Sequence, residues 1–185
     1  MQSIFRQAKR SSGFEALYFR EEKDGFSADS VVLGSHEGQA FRLHYQIYID
    51  STWRVHSLHI RDVLHSSGYK IFADRNQKWS RGDVMFDDDE RDFAGCTDID
   101  ISCTPFTNTL PIRRLNLKIG ESAEIQVLHV DCPQIRFEVS RQRYERLSES
   151  QYRFTSLEND FTAIITVDED GFVTDNPELF ERKYP

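Results

Sequence analysis

From Phe41 to Asp50 the side chains alternate without a break, with Phe41, Leu43, Tyr45, Ile47 and Ile49 set against Arg42, His44, Gln46, Tyr48 and Asp50. A period of two puts each set on its own face, so the segment predicts a half-buried β-strand. Residues 16–22 and 26–33 repeat the pattern around Lys23-Asp24-Gly25, whose Asp-Gly step is a strong hairpin signal. Between Trp53 and Val63 the phase slips: Trp53 and Val55 are odd, whereas Leu58 and Ile60 are even. One apolar face survives only with a bulge near His56-Ser57, which would bend the sheet. Residues 69–73 and 78–80 predict a short hairpin. In the second half, strands are expected over 123–130, 134–140, 143–147, 152–156 and 161–167, and Asp168-Glu169-Asp170-Gly171 turns the chain onto Phe172-Val173. Asn176-Pro177-Glu178 has the cap, first-turn proline and acidic residue of a helix start, so a short C-terminal helical turn is expected.

The fold expected is all-β. A single curled antiparallel sheet would form a partly open barrel or β-roll, with residues 1–185 as one domain, a length that buries a core without disulfides.

The segment 95–115 stands apart. Ile99, Ile101 and Cys103 alternate with Asp98, Asp100 and Ser102, which again reads as a half-buried strand. After it, Thr104-Pro105 and Leu110-Pro111 each lack a backbone donor and bias the preceding residue to extended geometry. A stiff polar loop over 104–114 is predicted, presenting Thr107, Asn108, Thr109, Arg113 and Arg114. On an extended segment the two adjacent arginines would point to opposite faces.

Charge removes two classes of partner. A net charge of -8 disfavours nucleic acid and anionic membrane surfaces, which are bound through basic patches. Cys96, Cys103 and Cys132 make neither an even framework nor a C-x-x-C pair, so a reducing, cytoplasmic location is expected. Residues 1–10 lack the apolar stretch of a secretory signal, and no run is long enough to span a membrane. Residues 83–92 are heavily acidic and read as a solvated connector or, less simply, a calcium or magnesium site. His56 and His59 face opposite ways on a strand, which argues against a metal pair. No hydrolase elbow, zinc-protease helix, phosphate-binding loop or dinucleotide fingerprint is present, so no metal or cofactor is expected.

The candidate residues carry two readings each. Trp53 fills the core or lines a cleft. Asp98 and Asp100 form a coupled pair or metal clamp, or else lie on the solvent face or pair with Arg113 and Arg114 folding back onto them. One of those arginines can grip a phosphate, carboxylate or sugar hydroxyl through its planar fork of donors. Asn108 suits sugar hydroxyls or ties down its own loop. Tyr144 points inward, opposite Arg143 and Glu145, and Glu145 is a general base if buried or one half of a surface ion pair if not.

Gly95-Cys96, Asp98, Asp100, Thr104-Pro105 and the run from Thr107 to Leu115 resemble the signature of the putative glycolipid-binding domain family of bacterial proteins. Thr52-Trp53-Arg54, residues 120–124, residues 142–147 and residues 168–177 match in order and spacing. The resemblance implies a curved, partly open β fold. It also implies a ligand of the glycolipid class. The function expected is non-catalytic binding of such an amphipathic ligand at a cleft among Trp53, Asp98, Asp100, Asn108, Arg113, Arg114, Tyr144 and Glu145. Two other functions fit the residues: an acid/base enzyme using Asp98, Asp100 or Glu145 with Arg113 stabilising developing negative charge, and a module that extends a partner's sheet at an exposed edge.

Overall fold

The computed structural model describes residues 1–9, 13–82, 93–177 and 180–184. Its elements in chain order are β1 (Gln2–Ala8), β2 (Gly13–Glu22), β3 (Gly25–His36), β4 (Gln39–Asp50), β5 (Val55–Asp62), β6 (Ser67–Ala73), β7 (Trp79–Arg81), β8 (Cys96–Ile101), α1 (Phe106–Leu115), β9 (Ser122–Asp131), β10 (Arg136–Arg146), β11 (Gln151–Ser156), β12 (Thr162–Val167), β13 (Val173–Asn176) and β14 (Phe180–Tyr184). All fourteen strands belong to one sheet, ordered β7-β6-β5-β4-β3-β2-β1-β14-β13-β12-β11-β10-β9-β8. The two ends of the chain meet in its middle, where β1 pairs with β14. From there, one meander runs outward to β7 and the other to β8.

The sheet is curled but not closed. Its two ends, β7 and β8, make no ladder with each other; instead the Trp79 indole nitrogen donates to the Cys96 carbonyl at 2.8 Å. The curl carries the β8–β9 end against the β5–β6 end, with Ile99, Ile101, Leu128 and Val130 in the same apolar cluster as Leu58, Ile60 and Ile71. The opposite face of β8 meets α1 through Asp98 and Asp100. Both faces of β8 are therefore covered, which corrects the half-buried strand expected there. Asp98 is as buried as Ile101.

The hairpin at Lys23-Asp24-Gly25 forms as expected, and so does the bulge: Tyr48 pairs with Ser57 and Ile49 with Val55, leaving His56 as the extra residue. Residues 134–140 and 143–147 are not two strands, because 136–146 run unbroken as β10. The C-terminal helical turn expected from Asn176-Pro177-Glu178 falls partly on residues 178 and 179, outside the described residues, and the chain that follows is not helical. Phe180–Tyr184 is a strand paired with β13 and β1, so a free sheet edge outweighs the local signals at Asn176 and Pro177. The acidic stretch 83–92 lies outside the described residues.

The largest correction is at 104–114, where the chain is helical. Pro105 sits just ahead of the first turn, where its missing N–H is no loss, and the Thr104 hydroxyl accepts from the Phe106 N–H at 3.0 Å. Pro111 removes one internal bond, yet every side chain from Phe106 to Ile112 is buried, and this packing outweighs the local cost. Asn116 ends the helix in a left-handed conformation, φ 46, with its N–H returned to the Ile112 carbonyl. Because a helix joins β8 to β9, those two strands are parallel, unlike the other pairs.

A buried ion pair anchors the helix entry. Arg6 and Glu15 occupy inward positions on β1 and β2 and meet at 2.7 Å, each essentially without exposure. Oε1 of Glu15 also accepts from the Tyr45 hydroxyl (2.6 Å), the Thr104 hydroxyl (2.6 Å) and the Ser30 hydroxyl (3.0 Å). One carboxylate thus ties β2, β3 and β4 to the segment that starts α1. The Glu15 carboxylate is filled with partners, whereas Nε and Nη2 of the buried Arg6 have none among the described residues, so the pair is only partly compensated.

Candidate functional site

The N-terminal end of α1 and the strands β8 to β11 enclose a cleft of about 530 Å³. Register explains its lining. Across the β9–β10 ladder His129 lies opposite Glu138, Val127 opposite Ser140 and Ile125 opposite Gln142, so His129, Glu138, Ser140 and Gln142 share the face that looks toward the helix. Across the parallel β8–β9 pair Asp100 lies beside His129. Thr104, Pro105 and Asn108 contribute from the helix end, while Phe154 and Phe161 supply apolar wall.

The floor is a connected polar chain. Asn108 Nδ2 donates to the Tyr144 hydroxyl (3.1 Å), and that hydroxyl donates to Gln142 Oε1 (3.4 Å). Gln142 Nε2 donates to Asp100 Oδ2 (2.7 Å), whose carboxylate also receives the Thr107 hydroxyl (3.2 Å) and faces His129 Nδ1 (3.2 Å). Burial disfavours a charged His129 ring, but the bond to Asp100 and the negative charges of Asp100, Glu138 and Asp131 outweigh it, and its pKa is raised above 6.5. Burial, reinforced by the charges of Asp100 and Asp98, pushes the Tyr144 phenol well above its ordinary value, so it stays a neutral donor. Asp100, Glu138 and Glu158 give the lining an acidic balance, with His129 its only group able to carry positive charge.

Behind this floor Arg114 grips Asp98. Its Nε reaches both carboxylate oxygens (3.1 and 3.2 Å) and its Nη2 reaches one at 2.6 Å. Burial raises the Asp98 pKa even though Arg114 pulls it down. Neither side chain lines the cleft.

Arg113 goes elsewhere. On a helix it is turned about 100° from Arg114, rather than to the opposite face of an extended segment. Its guanidinium lies 4.7 Å from the ring centre of Trp53, and its Nη1 donates to the Asp170 carbonyl at 3.1 Å. Trp53 is 8% exposed and stacks on Phe19 and Phe26 at 5.8 and 4.8 Å between ring centres. It is a core residue, with two smaller hollows of about 330 and 340 Å³ beside the Arg113–Trp53 contact.

The eight residues singled out in the sequence thus fall into four places. Asp100 and Asn108 line the cleft, with Tyr144 beneath them. Asp98 and Arg114 form the buried pair, Trp53 and Arg113 the stacked pair. Glu145 is on the surface, paired with Arg153 across the β10–β11 ladder. Sequence reasoning passed over His129 and Gln142. The available signal was polar residues in the inward phase of two consecutive strands. Among the described residues no cluster of three or more histidine, cysteine or carboxylate groups is placed to hold a metal ion.

A rolled, open fourteen-stranded sheet with a helix packed into its curl and a cleft beside it defines the structural class. The chain belongs to the family described as putative glycolipid-binding, whose model matches residues 4–182. It is similar to the crystal structure of a DUF1089 family protein from Pseudomonas aeruginosa, with 37% sequence identity, 94% of each chain covered and a TM-score of 0.81. No curated protein matches the chain. No helix among the described residues is long and apolar enough to cross a membrane.

Proposed function

We propose that the protein binds an amphipathic ligand of the glycolipid class in the cleft between α1 and β8–β11, without catalysis. The observation that carries this reading is the division of the cleft into an apolar wall of Phe154 and Phe161 and a polar floor running from Asn108 to His129. A volume of about 530 Å³ is that of a small-molecule site. Each buried methylene of an acyl chain contributes about 0.8 kcal/mol, so a few exceed the ~1.5–3 kcal/mol of one charge-assisted hydrogen bond. The wall supplies affinity and the floor supplies choice of head group. The carboxylates of Asp100 and Glu138, beside a Glu158 already paired with Arg141, favour a neutral or amino sugar over a phosphate or carboxylate, because like charges repel in a partly desolvated site.

The reading is tested by native mass spectrometry of protein purified from its source cells, beside a Ser140→Trp variant that fills the cleft from β10. A lipid mass carried by the wild type and lost in the variant is expected. Retention of the same lipid by the variant, or failure of the apo wild type to bind any neutral glycolipid added to it, rejects the cleft.

A further inference from the structure

The outer face of β4, β5 and β6 carries a groove of about 640 Å³, unconnected with the cleft. Register sets its lining. His44 lies opposite Arg61 and Arg61 opposite Gly68, while Gln46 lies opposite His59 and His59 opposite Lys70. Two fixed cations and two imidazoles therefore share one face of three neighbouring strands. Gly68 keeps the floor low beside Arg61: a Cβ there would stand 2.7 Å from the Arg61 Cβ and 2.8 Å from the Ile60 carbonyl oxygen.

The nearby carboxylates among the described residues are already engaged. Asp29 receives Gln46 Nε2 at 2.7 Å and meets His44 Nε2 at 2.9 Å. Asp62 receives the Leu64 N–H at 2.8 Å and the His65 N–H at 3.3 Å, and pairs with the His65 ring. Arg61 and Lys70 are exposed and have no ion-pair partner among the described residues. In a chain of net charge -8, two cations without an ion-pair partner among the described residues, beside two imidazoles, make a local basic spot in a concave setting.

We infer that this groove binds a phosphate monoester, held by the planar fork of Arg61 and the ammonium of Lys70 with the Ser67 hydroxyl at its edge. Guanidinium and ammonium donors to phosphate oxygens form the strong, charge-assisted class of hydrogen bond. The phosphate belongs either to a soluble compound or to a lipid head group, and the groove reads the same chemistry in both.

The test is an amide NMR titration of the full chain with glycerol 3-phosphate at constant ionic strength. Cosedimentation runs beside it, with phosphatidylcholine vesicles with and without phosphatidic acid. Saturable shifts are expected at Arg61, Gly68 and Lys70. Affinity should fall by about tenfold or more in R61A/K70A, whose exposed positions leave the melting temperature close to wild type. Recruitment to phosphatidic acid vesicles, lost in the double variant, assigns a lipid source; binding of glycerol 3-phosphate alone assigns a soluble one. No saturable response at the groove with either probe, or equal binding by wild type and variant, overturns the inference. Ser140→Trp should bind phosphate as the wild type does, so failure of the cleft reading leaves this result intact.

Discussion

Nη2 of Arg114 lies 2.6 Å from Oδ2 of Asp98, on a strand position with no solvent exposure. The pair bolts the last turn of α1 to β8. Removing the arginine alone leaves an uncompensated charge in the interior, so Arg114→Ala should lower stability by about 3–5 kcal/mol. Replacing both residues with leucine should cost less than the single change. Urea denaturation midpoints of the two variants decide the order.

His129 makes stability depend on pH. Its folded pKa is raised above 6.5 by Asp100 and the neighbouring carboxylates, against the opposing effect of burial. The folded state thus holds the proton more tightly than the unfolded chain. The added stability is complete below pH 6.5 and disappears as pH climbs through the folded value of His129. Asp100→Asn should bring the His129 titration, followed by NMR, back down, and should flatten the dependence in that window.

Gly171 has φ +80, and a Cβ there would lie 2.9 Å from the Arg113 Cδ. Gly171→Ala should cost roughly 1–2 kcal/mol from backbone strain alone, and should push Arg113 off the Trp53 ring. A change in tryptophan fluorescence together with a lower melting temperature is the expected pairing. An unchanged spectrum would show that the stacked contact survives.

Glu145 supplies a contrast. Its partner Arg153 shares a surface position, with side-chain exposures of 32% and 43%. Exposed pairs contribute about 0–1 kcal/mol, so Glu145→Ala should leave the melting temperature within about 2–4 °C of wild type and ligand binding unaltered. Loss of binding in that variant would move the site away from the cleft.

Much of the sheet was legible because its strands alternate cleanly, and even the odd-to-even slip after Trp53 located the bulge at His56. What failed depended on distant parts of the chain. The segment from Pro105 to Arg114 carries two prolines and reads as a loop, yet it is helical because the curl of the sheet offers Phe106 and Leu110 a place to bury. Asn176-Pro177 looks like a helix start, yet β1 offers an edge to pair with, and β1 was itself missed because Arg6 interrupts its apolar phase. The site shows the same split. Asn108 and Asp100 stood out as polar groups in an odd place, whereas His129 drew no notice, and Gln142 only as part of a matching segment, until register set them opposite Glu138 and Ile125.

The inward position of β8 has one more consequence. Two of its outer backbone groups are met by side chains, the Cys96 carbonyl by the Trp79 indole and the Ile101 N–H by the Thr107 hydroxyl. The strand at the other margin, β7, has only three residues. A foreign strand pairing alongside β8 would have to displace these two side chains from the backbone, and β7 offers it three residues.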